Sequence, residues 1–239
     1  MKPLEKLKEV IRQKSIQELA PGPIHLKRSY IFTTVLLLAL VVFIVLALLA
    51  RTVAYFPIDL AITQSLQTID QGWFELLMRA VSWPGRGSQS VVVTSALVIL
   101  VYWVGLRWEA VVAAITSAVV SSLNALLKIL IERPRPSADI VDVLRELSTF
   151  SFPSGHVMYY AAFYGFLLYL CFSSLKNFWL RTALIIIFGG LVLLVGPSRI
   201  YLGVHWPSDV LGAYIIGGVS LFAAIQFYRW GRKRFFTGE

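Results

Sequence analysis

The feature that most constrains this chain is an uncharged apolar run at residues 31–50, between Lys27-Arg28 and Arg51. A helix needs about 20 predominantly apolar residues to cross the hydrocarbon core of a bilayer. Five further apolar runs follow, each bounded by charge, proline or glycine, at residues 91–106, 111–130, 157–172, 180–195 and 210–228. Charged residues make up only 15% of the chain, against about 25% in soluble domains. We therefore predict an all-α protein built as a bundle of six transmembrane helices.

The segments outside these runs are mixed in character. Residues 1–20 alternate charged and apolar residues at about helical spacing, which fits either an amphipathic helix on the membrane surface or a frayed tail. Residues 55–88 interleave apolar residues with Asp59, Asp70 and Glu75, which predicts one or two interfacial helices ended by the sequence Pro84-Gly85-Arg86-Gly87. The expected organisation is a basic tail at residues 1–28, a membrane domain at residues 29–229 and a second basic tail at residues 230–239.

Most of the net charge of +9 comes from the two tails. Lysine and arginine are enriched on the cytoplasmic side of membrane proteins and are attracted to anionic lipids, so this distribution indicates a bilayer and not nucleic acid as the partner. Six spans put both termini on one side, and the short loops predicted there carry Arg107, Lys176 and Arg181. We predict a multi-pass protein of the inner (plasma) membrane with both termini cytoplasmic. The single cysteine, Cys171, excludes an intrachain disulfide.

Three polar segments lie at the predicted outer ends of spans, where a membrane protein normally avoids charge. They are Lys128 to Arg135-Pro136 after the third span, Pro153-Ser154-Gly155-His156 before the fourth, and Ser198-Arg199 to His205 and Asp209 before the sixth. Because loops on one side of the bilayer can meet, we expect the three segments to form one site on the outer face.

Each segment has a chemical interpretation beside a purely structural one. Ser154 and Gly155 at a helix start favour an anion site, although capping alone also explains the serine. Lys128 and Arg135 could bind an anion together or could extend separately to lipid headgroups. For Arg133 we favour the second alternative, with Glu132 as its partner.

His205 and Asp209 are four residues apart around the helix start predicted at Pro207. A carboxylate bonded to one imidazole nitrogen leaves the other nitrogen free to attack. Together with the cations, this pair supplies what phosphoryl transfer needs: positive charge, an in-line nucleophile and an acid. No metal or cofactor is predicted, because the loop acids Asp139, Asp142 and Glu146 are interpreted as solvated.

The three segments, Lys-x6-Arg-Pro, Pro-Ser-Gly-His and Ser-Arg-x5-His-x3-Asp, resemble the signature motifs of the type 2 phosphatidic acid phosphatase superfamily. That superfamily includes vanadium haloperoxidases and bacterial acid phosphatases, and the resemblance implies their helical core. It also implies residue roles. His205 attacks phosphorus, Asp209 orients it and His156 protonates the leaving group, while the phosphate is held by Lys128, Arg135, Ser154, Gly155 and Arg199. Ser198 has a supporting role, and His25 in the basic tail has none.

The expected function is hydrolysis of a lipid phosphate or diphosphate, such as phosphatidic acid, phosphatidylglycerol phosphate or undecaprenyl diphosphate, through a phosphohistidine. Two alternatives remain: phosphoryl transfer to another lipid, and a transporter or scaffold that only binds lipid phosphate. The soluble haloperoxidases do not fit a chain with six spans. The sequence leaves the substrate and the oligomeric state open.

Overall fold

The computed structural model describes residues 23–145 and 147–236. These residues form helices and loops, with no β-strand among them, which confirms the all-α class. The helices are α1 Pro23–Thr52, α2 Pro57–Gln67, α3 Gly72–Ser82, α4 Gly87–Trp103, α5 Arg107–Ile131, α6 Gly155–Ser174, α7 Phe178–Tyr201 and α8 Pro207–Phe236. The chain divides into two compact units inside α1, and the site described below lies in the unit from Val42 onward. Residues 1–20 lie outside the described part.

Five of the described helices are long and apolar enough to cross a membrane: α5, α6, α7, most of α8, and Tyr30–Thr52 within α1. The remaining predicted span, α4, has 17 residues and qualifies only together with the α3 segment, from which it is bent by 69°. Five of the six predicted spans are thus continuous helices, and the count reaches six if the bent α3–α4 pair is one broken span. The last helix, α8, extends to Phe236, beyond the predicted end at residue 228.

The fourth predicted span, α6, is the central helix of the unit. In the apolar 18-residue stretch of α6, 72% is buried, whereas the corresponding share is 33% in α5 and α8 and 11% in α7. Its middle turn is a π-helical segment, Tyr160–Tyr164, whose residues are all buried. The helix α8 approaches it closely at Gly217, where a Cβ would lie 2.8 Å from the Cβ of Ala161. Because residues 157–167 of α6 are all buried, they hold the start of the helix in place.

The mixed segment after α1 forms two helices of 11 residues each, α2 and α3, followed by a 3-10 turn at Trp83–Gly85. One or two interfacial helices were predicted here, and their orientation to the bilayer stays a prediction. Helix α3 packs against the last turn of α7, where Phe74 meets Tyr201 edge-on at 5.0 Å. Met78 packs in the same cluster with Leu202 and Val204. The two helices thus support the loop that carries His205.

Two helix ends place the polar segments. Helix α5 ends at Ile131 because Glu132 is left-handed, with φ 54°, and Pro134 follows. Helix α7 continues through Pro197 to Tyr201, so the predicted end at residue 195 is wrong. Proline has no N–H for the carbonyl of Leu193, and the Tyr214 hydroxyl donates to that carbonyl at 3.3 Å instead. As a result, Ser198 and Arg199 lie on a helix and not in a loop.

Candidate active site

The three polar segments meet at one end of the unit, where α5 and α7 end and α6 and α8 begin. The Lys128 ammonium donates to the carbonyl of Phe150, just before α6. The Ser154 N–H donates to the carbonyl of Asp209 at 3.3 Å. The guanidinium Nη1 of Arg135 lies 3.2 Å from Nε2 of His205. The structure therefore brings the sequence-predicted residues together in one site.

The imidazole of His205 is held between a carboxylate and a cation. Helix α8 begins at Pro207, and its first turn puts the Asp209 carboxylate 3.4 Å from Nδ1 of His205. The same carboxylate oxygen accepts the Trp206 N–H at 2.9 Å and the hydroxyl of Ser151. His205 and Asp209 are 1% and 0% exposed. Nδ1 therefore faces the carboxylate, and Nε2 faces the cations.

The charges around His205 favour its neutral form. Burial, followed by the cations Arg135, Lys128 and Arg199, holds the pKa of His205 well below its ordinary value of 6.5. Burial also lowers the pKa of Arg135, from 12.5 to about 10, while Asp209 acts in the opposite direction. At neutral pH, a charged guanidinium thus stands beside an uncharged imidazole with a free nitrogen lone pair.

Arg135 is fixed by the loop that precedes α6. Its Nε and Nη2 donate to the carbonyl and hydroxyl of Thr149 at 2.6 and 2.9 Å. Its Nη1 donates to the carbonyl of Val204 at 2.5 Å, next to His205 in the chain. These bonds orient the guanidinium toward the imidazole, so the residue does not extend to lipid headgroups.

Several side chains of the site are buried with hydrogen-bonding atoms that have no partner among the described residues. They are Nε and Nη2 of Arg199, Oγ of Ser154 and Nε2 of His156. Arg199 is 1% exposed, and only its Nη1 is bonded, to the hydroxyl of Ser82. Buried polar groups are normally paired. Buried donors without a partner can bind an anion, because an anion accepts their hydrogen bonds.

The two motif serines differ in what their side chains bond to. Ser154 occupies the N-cap position of α6 without making a side-chain cap bond. Ser198 donates to the carbonyl of Val195 in its own helix at 3.0 Å, so its side chain bonds to the backbone of α7 and not to Arg199. At Gly155 a Cβ would lie 2.8 Å from Oδ1 of Asn124. Only glycine leaves this close approach undisturbed.

Arg133 overturns the expectation that it extends to headgroups with Glu132 as partner. It is 0% exposed, and its guanidinium lies 3.0 Å from Oδ2 of Asp59 and 2.5 Å from Oδ1 of Asp209. Its Nη1 also donates to Ser208 Oγ at 2.7 Å. The Asp59 carboxylate accepts the N–H and hydroxyl of Ser208 at 2.8 and 2.7 Å. Arg133 thus links the carboxylate beside His205 to helix α2.

Sequence reasoning missed the support that four further residues give the site: Asp59 and Ser151 outside the motifs, and Arg133 and Ser208 at variable positions within them. One signal was available for Asp59, an acid between Ile58 and Leu60 in an apolar stretch. Such an acid in a membrane protein is a functional or structural partner by default. The two serines carry no such signal.

Comparison with known proteins agrees with this geometry. The sequence model of the PAP2 superfamily matches residues 107–233. The chain belongs to the PAP2 superfamily. Phosphatidylglycerophosphatase B of Bacillus subtilis (strain 168) is 31% identical over 194 residues, which cover 81% of this chain and 94% of that protein. An undecaprenyl-diphosphatase of Sulfolobus acidocaldarius is 32% identical over 84 residues, 34% of this chain and 35% of that protein.

This chain is also similar in fold to solved crystal structures. The crystal structure of a transmembrane PAP2-type phosphatidylglycerolphosphate phosphatase from Bacillus subtilis matches with a TM-score of 0.71 and 28% identity, over 85% of this chain and 98% of that one. Aquifex aeolicus LpxE matches in fold, with a TM-score of 0.59 and 21% identity over 72% of this chain and 96% of that one. This chain is accordingly a multi-pass membrane phosphatase, a hydrolase of phosphoric esters.

A cavity of about 440 Å³ lies beside the site of this PAP2 phosphatase, between α4, α5 and α6. Its wall includes His156 and Gly85 near the site, and it continues along small or hydroxyl side chains such as Ser90, Thr94, Ser117 and Ser121. At Gly85 a Cβ would lie 2.5 Å from Cδ2 of His156. The glycine therefore allows the 3-10 turn to lie directly on the His156 ring.

The carboxylates in the described part of this PAP2 phosphatase form no cluster that could hold a metal ion. Within residues 23–145 and 147–236, no three His, Cys, Asp or Glu side chains are grouped to hold one. Asp59 and Asp209, the acids nearest the site, share Arg133. The loop acids Asp139 and Asp142 are exposed, as predicted, and Glu146 lies outside the described residues.

Proposed function

We propose that this PAP2 phosphatase hydrolyses a lipid phosphomonoester or diphosphate on the outer face of the membrane, through a phosphohistidine and without a metal. One observation carries the proposal: a buried, neutral His205 whose Nδ1 faces Asp209 and whose Nε2 faces the cations. A nucleophile of this kind needs an oriented imidazole with one free nitrogen.

In the first step, Nε2 of His205 attacks the phosphorus, and the bond to the leaving oxygen breaks. Lys128, Arg135 and Arg199 balance the charge on the equatorial phosphate oxygens, aided by Ser154 and the N–H of Gly155 at the start of α6. His156 gives a proton to the leaving oxygen. Its protonated form is favoured once an anionic phosphate is bound beside it, because opposite charges attract.

In the second step, water attacks the phosphohistidine. His156 accepts a proton from that water, the N–P bond breaks, and inorganic phosphate leaves with His205 restored. Asp209 remains beside Nδ1 throughout and stabilises the positive charge that the phosphorylated imidazole carries. No step requires a further reactant.

A lipid substrate is supported by the position of the site. The site lies at the ends of membrane-crossing helices, and the 440 Å³ cavity beside His156 runs between α4 and α5 toward their middle. The leaving group of a lipid phosphate can occupy such a space while its chains remain in the bilayer. The orientation rests on the basic tails and the positive-inside rule.

The test is release of inorganic phosphate from purified lipid phosphates in detergent with EDTA present. We expect turnover by the wild type, and no turnover but retained binding of substrate by His205→Ala. The matched control is His25→Ala, which replaces another histidine of the chain and should keep activity. Turnover by His205→Ala, or loss of wild-type activity in EDTA, would contradict the mechanism. Transfer of phosphate to a second lipid without free phosphate would identify a phosphotransferase.

A further inference from the structure

Two arginines outside the three motifs stand near His156. The first, Arg86, follows Gly85, whose backbone lies against the His156 ring. Its Nε is buried and has no hydrogen-bond partner among the described residues. Arg86 thus directly follows the turn that contacts the proposed acid.

The second, Arg145, belongs to the loop between α5 and α6. It lines a cavity of about 290 Å³ together with Arg135 and Leu147. The positive charges of Arg86 and Arg145 both lie within electrostatic range of His156 and Arg199, and Arg145 itself is exposed.

The two cations also act on each other. Burial, followed by the neighbouring cations Arg145 and Arg79, lowers the pKa of Arg86. Arg79 is paired with Glu75 at 2.6 Å, but neither Arg86 nor Arg145 forms an ion pair within the described part of the chain. Like charges held together without an anion are unfavourable, and an anion between them relieves the repulsion.

The motif residues already account for one phosphate. Lys128, Arg135 and Arg199 supply three positive charges, of which the net negative charge of the Asp59, Arg133 and Asp209 group offsets one. The remainder matches a phosphate dianion. The charges of Arg86 and Arg145 are in addition to this, and Arg86 follows the turn that contacts His156, the proposed acid for the leaving group.

We propose that Arg86 and Arg145 bind a second phosphate, carried by the leaving group of the substrate. This inference rests on the proposed function and narrows its substrate class to lipids with two phosphates. When His205 attacks the terminal phosphorus, the leaving oxygen points toward His156, and a phosphate beyond that oxygen reaches the two arginines. In a lipid diphosphate the second phosphate is bonded directly to that oxygen. In phosphatidylglycerol phosphate it is a phosphodiester one glycerol away, and phosphatidic acid has none.

The experiment compares kcat/KM for a lipid diphosphate, phosphatidylglycerol phosphate and phosphatidic acid in one detergent. The enzymes are the wild type, Arg86→Gln, Arg145→Gln, the double variant and the control Arg107→Gln. Arg107 is an exposed arginine at the other end of α5, over the Tyr102 ring. Each single variant should lose about fivefold on a two-phosphate substrate, since a partly exposed ion pair contributes up to about 1 kcal/mol. The double variant should lose about twentyfold.

Phosphatidic acid hydrolysis should change by less than about twofold in every variant, and Arg107→Gln should match the wild type on all substrates. The substrate with the larger loss, the diphosphate or the phosphodiester, shows which second phosphate the arginines bind. Equal losses on all three substrates would overturn the inference, because the arginines would then act on the attacked phosphate or on the fold. A wild type that prefers phosphatidic acid would overturn it too. Failure to release phosphate from any of the three would contradict the proposed function itself.

Discussion

The buried position of Arg133 makes its replacement a sensitive test of the site's support. Arg133→Met removes a guanidinium that is 0% exposed and leaves Asp59 and Asp209 buried without it. Removing one partner of a buried ion pair costs about 3–5 kcal/mol, because the remaining charge is uncompensated. We therefore expect Arg133→Met to lower the free energy of unfolding by about 3–5 kcal/mol. Arg133→Lys keeps the charge but cannot reproduce the forked contacts, so its loss should be smaller.

A second substitution separates charge from packing. The group of Asp59, Arg133 and Asp209 has one net negative charge in the wild type, two in Arg133→Met and one again in Asp59→Asn/Arg133→Met. The double variant should therefore be more stable than Arg133→Met alone, although it has lost more contacts. The coupling free energy between the two substitutions measures the charge interaction.

The assay is reversible unfolding in mixed detergent micelles. It compares the wild type with the single variants Arg133→Met and Asp59→Asn, the double variant Asp59→Asn/Arg133→Met and a control. The control is Arg79→Met, because Arg79 pairs with Glu75 at 2.6 Å but both side chains are about two-fifths exposed. That change should cost less than about 1 kcal/mol. The reasoning is refuted if Arg133→Met is no less stable than Arg79→Met, or if the losses of the two single variants simply add.

Two further predictions concern the histidines. Because burial and nearby cations lower the pKa of His205 below 6.5, its protonation should limit kcat/KM only below that pH. The result against a neutral nucleophile would be a loss of kcat/KM at acid pH with a midpoint above 6.5. That loss would have to persist when the other histidines are replaced, so that it could be assigned to His205. Gly85→Ala puts a Cβ 2.5 Å from the His156 ring and should lower kcat by about tenfold or more through displacement of the ring. Gly72→Ala, whose Cβ would meet nothing within 4 Å, should not; equal kcat for the two variants would contradict this role.

The helices and the location of the site could be predicted because both depend on local signals. Apolar length gave the membrane spans, and Pro134 and Pro207 marked a helix end and a helix start. The break at α3–α4 was harder, because α4 alone is too short to span a membrane and its run of apolar residues does not reveal the 69° bend. The end of α7 was misplaced because Pro197 normally interrupts a helix. In the continued helix, the carbonyls of Val192 and Leu193 accept from the hydroxyl of Tyr214 on α8, a tertiary contact that the local sequence does not reveal.

Arg133 could not be predicted correctly from its neighbours. Its sequence position, at the end of a span beside Glu132, is typical of a residue that extends to the headgroups. The partner that holds it inside, Asp59, is 74 residues away in the chain. Propensity and spacing carry no information on such a contact, so the error has a physical cause.

The Asp59–Arg133 pair also bears on the proposed chemistry. A buried Asp209 beside a neutral imidazole would be costly without a cation, and Arg133 supplies one. A single arginine, however, would cancel the negative charge that stabilises the imidazole once phosphorus is bound to it. Asp59 restores that charge without approaching His205, since it contacts Arg133 and Ser208 instead. The proposed nucleophile therefore depends on helix α2, which lies outside all three motifs, and Asp59→Asn should lower kcat by raising the free energy of the proposed phosphohistidine.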